Sequence, residues 1–357
     1  MRKALKITGI ILGALLLILG GGFLYLYMKS RPEALAKFIR GNPERSSVCV
    51  VQNDTIFVAG NADRVMPLAS TVKIIIGIEY ARQAAAARVA AAEMVDTAEL
   101  DKYYIPDTDG GAHPDWMKEM RKKGLLKDGK VPLEEIAKGM IRYSSNANTE
   151  YLLEKLGLDS VNACIGRLGL KAQEPLYPFV SALFIGQGLT TAQIKAMPAD
   201  KYIAASNAIH EKLKMDTAFK RTFKDISLDM QHVWSDRLPG GTTREYTGIL
   251  HMINSRTFFS VAEQQHIDAL MEGILESAAN RAWLQHAGFK GGSTAFVLTM
   301  AMYATTKKGD KTELAYFFNG LTMWESVLLQ AASNDFHLRL LGNKASRNKM
   351  IEILNGK

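Results

Sequence analysis

Apolar and polar positions along the chain change period several times, and each change marks an element. Residues 7–28 pass without a charge, rich in Leu, Ile and Gly, and are preceded by Arg2, Lys3 and Lys6. A run of that length spans a bilayer, and with no small-residue cleavage site behind it the pattern predicts an uncleaved anchor over residues 1–30. Residues 32–40 follow as a short helix with proline near its start and Gly41 at its end. The Val-rich stretch 47–52 and residues 55–59, joined by Asn53-Asp54, predict a hairpin.

Ser70 then opens a very apolar helix, Ile74-Ile75-Ile76-Gly77-Ile78, running into an Ala-rich stretch that reaches about residue 94. Residues 100–129 read as irregular, broken by Pro106, Gly110-Gly111 and Pro114. Helical spacing returns over 133–142, breaks at Tyr143-Ser144-Ser145-Asn146 and resumes over 147–156. Residues 190–223 are mostly helical by pattern. Two capped helices follow, 245–253 after Thr242-Thr243 and 261–275 after Ser260.

The period changes again near the end. Gly288 to Ser293 leads into β-like runs at 295–304 and 313–321, joined by Lys307-Lys308-Gly309-Asp310, and residues 324–341 close as a helix. Two strands come early, at least two come late, and helices fill the space between. That order predicts an α+β fold, an antiparallel sheet formed by both chain ends and packed against a mainly helical domain, with an N-terminal transmembrane helix. One domain is expected over 31–341 and a polar, basic tail over 342–357.

Charge refines this picture. The 357 residues carry a formal net charge of +8, but residues 1–40 hold seven basic residues against Glu33 alone, so most of the excess sits beside the expected membrane span. The remainder is nearly neutral, which argues against a nucleic-acid partner and for anionic lipid headgroups at the collar. Cys49 falls in a strand pattern and Cys164 in a helical one; two buried thiols are expected, with a single disulfide as the alternative. No Cys/His spacing suggests a metal and no Gly-rich loop suggests a nucleotide, so no cofactor is expected.

Candidate chemistry begins at Ser70-x-x-Lys73. On a helix the two share one face, placing an amine beside an alcohol that needs a base, at a helix start that favours developing negative charge. The same spacing recurs at Ser346 and Lys349, but there in the polar tail, without a buried helix behind it. Two further elements follow in order: Ser144-x-Asn146 at the break between two apolar helices, and Lys290-Gly291-Gly292 ahead of a β-like run. Each alone is common in the chain; their order and settings are what acyl-transfer chemistry requires.

With these three elements the chain resembles the penicillin-recognising serine hydrolases, most closely the class A β-lactamases and beside them the serine DD-peptidases. The resemblance runs from about residue 47 to residue 341. It implies that Ser70 attacks the carbonyl, Lys73 takes its proton, and Ser144 relays a proton to the leaving nitrogen. Asn146 would bind the substrate's side-chain amide and Lys290 its carboxylate, Gly292 and Ser293 complete the substrate-binding set, and the Ser70 and Ser293 N–H groups would hold the oxyanion. Glu174-Pro175 resembles the deacylating Glu-Pro of class A, so Glu174 joins Ser70, Lys73 and Ser144 as a catalytic candidate.

Two positions depart from the family pattern: Ser145 stands where an aspartate is usual, and Gly291 where a hydroxyl residue is usual. The implied activity is hydrolysis of β-lactams through an acyl-enzyme by a single-pass membrane protein whose catalytic domain lies outside the cytoplasm. The alternatives are a DD-carboxypeptidase or transpeptidase acting on D-Ala-D-Ala cell-wall peptides, and a catalytically weak envelope binding protein of the same fold. Expected partners are the acyl substrate and, through the anchor, membrane lipid.

Overall fold

The computed structural model describes residues 32–356 apart from 217 and 343. Strands from early and late in the sequence meet in one antiparallel sheet. β1 (Ser46–Gln52), β2 (Thr55–Gly60), β7 (Leu284–Ser293), β8 (Leu298–Thr306) and β9 (Lys311–Phe318) lie in the order β2-β1-β9-β8-β7. Two small antiparallel pairs, β3 (Met66–Pro67) with β6 (Gly240–Gly241) and β4 (Met94–Asp96) with β5 (Lys130–Pro132), tie the connections together. The α+β expectation and the role of both chain ends therefore hold.

Register determines what the sheet offers. Lys290 pairs with Ala301 and Gly292 with Thr299, while Thr299 pairs with Phe317 and Phe317 with Ser47. Partners across a ladder share a face. That face turns to the helices, because the Phe317 ring meets Tyr246 edge-on at 5.5 Å, and Tyr246 lies on the helix Thr243–Ser255.

The apolar helix behind Ser70 spans Lys73–Ala85, and every residue from Lys73 to Ala81 is buried. A helix apolar all round belongs in a core. Ile74, Ile75 and Ile76 are at most 1% exposed, each stabilising the fold by roughly 1.5–3 kcal/mol. Leu270 and Ile141 pack over Gly77, their methyls 3.4 and 3.5 Å from where a Cβ would stand. The Ala-rich continuation is not helical: it turns away after Ala85.

Residues 100–129, expected to be irregular, contain the helix Ala112–Lys122. Pro114 falls in its first turn, where no intrahelical N–H is missed. The Asp109 carboxylate accepts from the Gly111 and His113 N–H groups. Between Glu174 and Gly240 the chain makes a helical excursion through Thr191–Ala196, Ala199–Met215 and Leu228–Asp236. It is stapled by Trp234 Nε1 donating to the Phe179 carbonyl (2.9 Å) and by Arg237 donating to the carbonyls of Ile194, Lys195 and Met197.

The helices Pro32–Gly41, Met323–Leu341 and Lys344–Asn355 form one compact unit, and Arg45–Gly320 forms another. Residues 342–357, read as a tail, thus hold a helix: Met350 is fully buried, and Lys349 pairs with Glu33 at 3.0 Å. Cys49 and Cys164 are both buried free thiols. The expected membrane span lies outside the described residues; among the described residues no helix is long and apolar enough to cross a membrane.

Candidate active site

Ser70 sits in a single 3-10 turn, Ala69–Val72, that feeds the buried helix. The residue before it, Ala69, has φ +45°, a left-handed backbone that costs a residue with a Cβ about 1–2 kcal/mol. The cost is met by clamps on both sides. The Leu68 N–H donates to the Pro239 carbonyl (3.1 Å), and the Leu68 carbonyl accepts from Thr299 Oγ1 (2.8 Å). Thr299 also shares a hydrogen bond with Thr71 Oγ1 (2.8 Å), and Thr71 reaches the Lys290 carbonyl at 3.4 Å. These two fully buried threonines join the nucleophile's turn to β7 and β8.

Gly292 shows how tight that junction is. A Cβ on it would lie 2.5 Å from the Ser70 nitrogen, 2.8 Å from the Leu68 oxygen and 2.7 Å from Thr299 Oγ1. Only glycine fits there. Ser293, the next residue along β7, is exposed.

Lys73 is fully buried; its Nζ donates to the Ser144 carbonyl (2.7 Å) and to Asn146 Oδ1 (2.9 Å) and lies 3.3 Å from Ser144 Oγ. Burial, followed by the nearby Lys290 charge, holds its pKa well below the ordinary lysine value, while Asp109 and Glu150 oppose this in part. A lysine so placed is available as a neutral amine. Lys290 is 4% exposed, donates to the Gly291 carbonyl at 2.8 Å and is lowered by burial to about 7.

A π-turn, Gly139–Tyr143, and the left-handed Ser144 (φ +67°) make the break that aims Ser144 and Asn146 at Lys73. Arg142 holds this turn by donating to the Leu270 carbonyl (3.3 Å) and the Ala269 carbonyl (2.5 Å). Ser145 is wholly buried and caps the helix Asn146–Leu156. In place of the family's carboxylate, its hydroxyl lies 3.0 Å from His113 Nδ1 and 2.9 Å from Asn148 Oδ1. Burial lowers the His113 pKa, so the network is built from neutral groups.

At Gly291, the Met300 methyl lies 3.2 Å from where a Cβ would stand, and no hydroxyl is presented. Thr294 Oγ1 instead accepts from Ser235 Oγ (2.9 Å) and from the N–H groups of Phe296 and Val297.

Ser70, Lys73, Ser144, Asn146, Lys290 and Gly292 are thus drawn together by direct contacts or through Thr71. Glu174 is placed differently: it is exposed, its Oε2 accepts from the Gly240 N–H (2.8 Å), and its own N–H donates to the Gly240 carbonyl (2.9 Å). The excursion reaches the Asn146 helix through another segment, where Glu150 accepts from the Val180 N–H (2.9 Å) and Ser181 Oγ (2.6 Å). Glu150, Thr71, Thr299 and His113 were missed in the sequence. Thr299 alone carries a local signal, as a polar residue within the apolar run Phe296 to Met302. Among the described residues no group of His, Cys, Asp and Glu is placed to hold a metal ion.

A family model described as the beta-lactamase enzyme family matches residues 31–251. The chain belongs to the β-lactamase enzyme family. Solved structures share the fold of this β-lactamase-family chain at low identity. A class A β-lactamase from Bacteroides cellulosilyticus is 17% identical with a TM-score of 0.53, over 92% of this chain and 99% of that one. A β-lactamase from Sphaerobacter thermophilus is 18% identical with a TM-score of 0.55, over 88% and 96%. PBP-A, solved as an acyl-enzyme complex with penicillin G, is 13% identical with a TM-score of 0.51, over 86% and 94%. No curated protein matches the chain by sequence.

Proposed function

We propose that this β-lactamase-family chain is a serine hydrolase that takes β-lactam-type amides through an acyl-enzyme on Ser70, held at the outer face of a bacterial cell membrane by its N-terminal apolar segment. Neutral Lys73 takes the Ser70 proton as the oxygen attacks the carbonyl. The oxyanion is stabilised by the backbone N–H groups of Ser70 and Ser293. Ser144 passes a proton to the leaving nitrogen, Asn146 holds the acyl side chain, and Lys290 draws in the substrate carboxylate as a point charge. The observation that carries this reading is the fully buried Lys73 amine, held by Ser144 and Asn146 beside the Ser70 turn.

The test is an intact-mass time course with a penicillin. The protein should gain the mass of one penicillin, and Ser70→Ala should gain none; a labelled Ser70→Ala would overturn the assignment.

A second reading, a DD-carboxypeptidase or transpeptidase acting on cell-wall peptides, is favoured by one feature. One oxygen of the Glu174 carboxylate accepts from the Gly240 N–H, so the group expected to activate a deacylating water is anchored to that strand. An adduct that persists for hours supports this reading, and one that clears within seconds supports the β-lactamase.

A further inference from the structure

His210 lies on the helix Ala199–Met215 of the excursion and is 4% exposed, yet it faces carboxylates with both ring nitrogens. Its Nδ1 is 2.9 Å from Glu150 Oε2, and its Nε2 is 3.6 Å from Glu154 Oε2. Glu150 and Glu154 are one turn apart on the same helix, Asn146–Leu156, so the ring is held between them. The flat of the ring stacks on Tyr103 with centroids 4.6 Å apart, which fixes its plane. Ser181 Oγ donates to the same Glu150 oxygen. A neutral imidazole carries one N–H, which the Glu150 contact takes; the 3.6 Å approach of Nε2 to Glu154 is an ion-pair distance, favourable to the imidazolium alone.

We propose that His210 is a positioning residue: as an imidazolium wedged between Glu150 and Glu154, it clamps the helical excursion to the helix that begins at Asn146 and balances the Glu150 charge behind Lys73. The inference rests on the acyl-enzyme reading of Ser70. Asn146 accepts from Lys73, and Glu150, one turn further on, is among the charges that favour protonated Lys73. While His210 is charged, Glu150 is neutralised locally and Lys73 stays a base. Once His210 loses its proton, a buried carboxylate is left unbalanced, Lys73 is drawn toward its protonated form, and the Val180 and Ser181 contacts lose their third partner.

The other charged groups in reach are Glu211 and Lys214 on the same helix, Lys214 being paired with Glu154, and Glu99, whose charge acts on Tyr103. Burial opposes the imidazolium, but the Glu150 hydrogen bond and the charges of Glu150, Glu154 and Glu211 outweigh it and raise the His210 pKa. For a raised histidine the stabilising contact is complete below the unfolded pKa and is lost as pH rises through the folded one. The acylation rate should therefore have an alkaline limb set by His210.

The experiment measures labelling of the full chain by a fluorescent penicillin across pH 5 to 10, beside a proton NMR titration of His210. Three variants are compared: His210→Gln, Glu150→Gln combined with His210→Gln, and the milder Glu154→Gln, which changes a side chain already partly exposed. His210→Gln should label more slowly by roughly ten- to a hundred-fold and lose the limb, and adding Glu150→Gln should restore part of the rate. Glu154→Gln should move the limb and the NMR titration together to lower pH. A limb unchanged in Glu154→Gln while the His210 titration moves would overturn the proposal, as would a parent titration at or below 6.5. Absence of any labelling in the parent would instead count against the Ser70 reading, and the NMR titration would still decide whether His210 is held as an imidazolium.

Discussion

Replacing Lys290 with methionine should make the protein more stable and less active, and the size of the effect follows from where the lysine lies. It is 4% exposed, its one hydrogen bond among the described residues is to the Gly291 carbonyl, and burial takes its pKa from 10.5 to about 7. At 1.36 kcal/mol for each tenfold change in proton affinity, holding this side chain as a cation costs on the order of 5 kcal/mol. Below about pH 7 both the folded and the unfolded lysine are charged, and the cost is complete. Between 7 and 10.5 the unfolded chain keeps a proton that the folded one has released, so parent stability rises with pH.

Methionine has a similar shape and no charge, and exchanging a buried charge for it typically gains 1–4 kcal/mol. Urea denaturation followed by tryptophan fluorescence should show Lys290→Met more stable than the parent by about that amount at pH 6. The gap should narrow steadily toward pH 10. Other groups titrate alike in both proteins except Lys73, which loses a repelling neighbour and moves up, widening the gap at low pH. A variant less stable than the parent, or a gap that does not shrink with pH, would refute the argument that burial sets the state of Lys290.

Two further substitutions test the site's geometry. Gly292→Ala drives a methyl into the Ser70 nitrogen and the Leu68 carbonyl, both backbone, and should lower acylation by roughly a hundred- to a thousand-fold, the loss seen when an oxyanion donor is removed. Gly291→Ala crowds only the flexible Met300 methyl (3.2 Å), the Thr299 carbonyl standing at an ordinary contact of 3.5 Å, and is its control; equal damage from both, in a stopped-flow labelling assay, would dismiss the close-approach argument. Glu174→Gln should leave both acylation and release of a penicilloyl group within about threefold of the parent, because its carboxylate serves Gly240; a fall of a hundred-fold or more would reinstate it as the general base.

Much of the fold could be read from residue pattern because it is local. The isoleucine run, the β-like late segments and the polar break at Ser144 each announce an element within ten residues. Their order announced the Ser70, Lys73, Ser144, Asn146 and Lys290 set. What stayed hidden is non-local. Ser145 looks like a lost carboxylate until His113, 32 positions earlier, is seen beside it. The helix carrying His113, Trp116 and Met120 on its buried side is masked by Pro114 and by Asp115, Lys118 and Glu119 between those positions. Glu174 was legible as a Glu-Pro pair, but where its carboxylate points depends on Gly240, which lies beyond the whole excursion.

That last contact has a wider consequence. Glu174 and Gly240 hold each other through two hydrogen bonds, so the two ends of a 66-residue separation already touch. A segment whose ends are pre-joined adds little closure entropy to the rest, and lengthening it changes that cost only slowly. Apart from the residues that grip the core, Val180, Ser181 and His210 at Glu150 and Pro239 at Leu68, the region between them can be regarded as a cassette that tolerates lengthening or trimming. Variation in what such a protein accepts as substrate would then accumulate in the cassette, while the nucleophile and its amine stay fixed on the sheet and the buried helix.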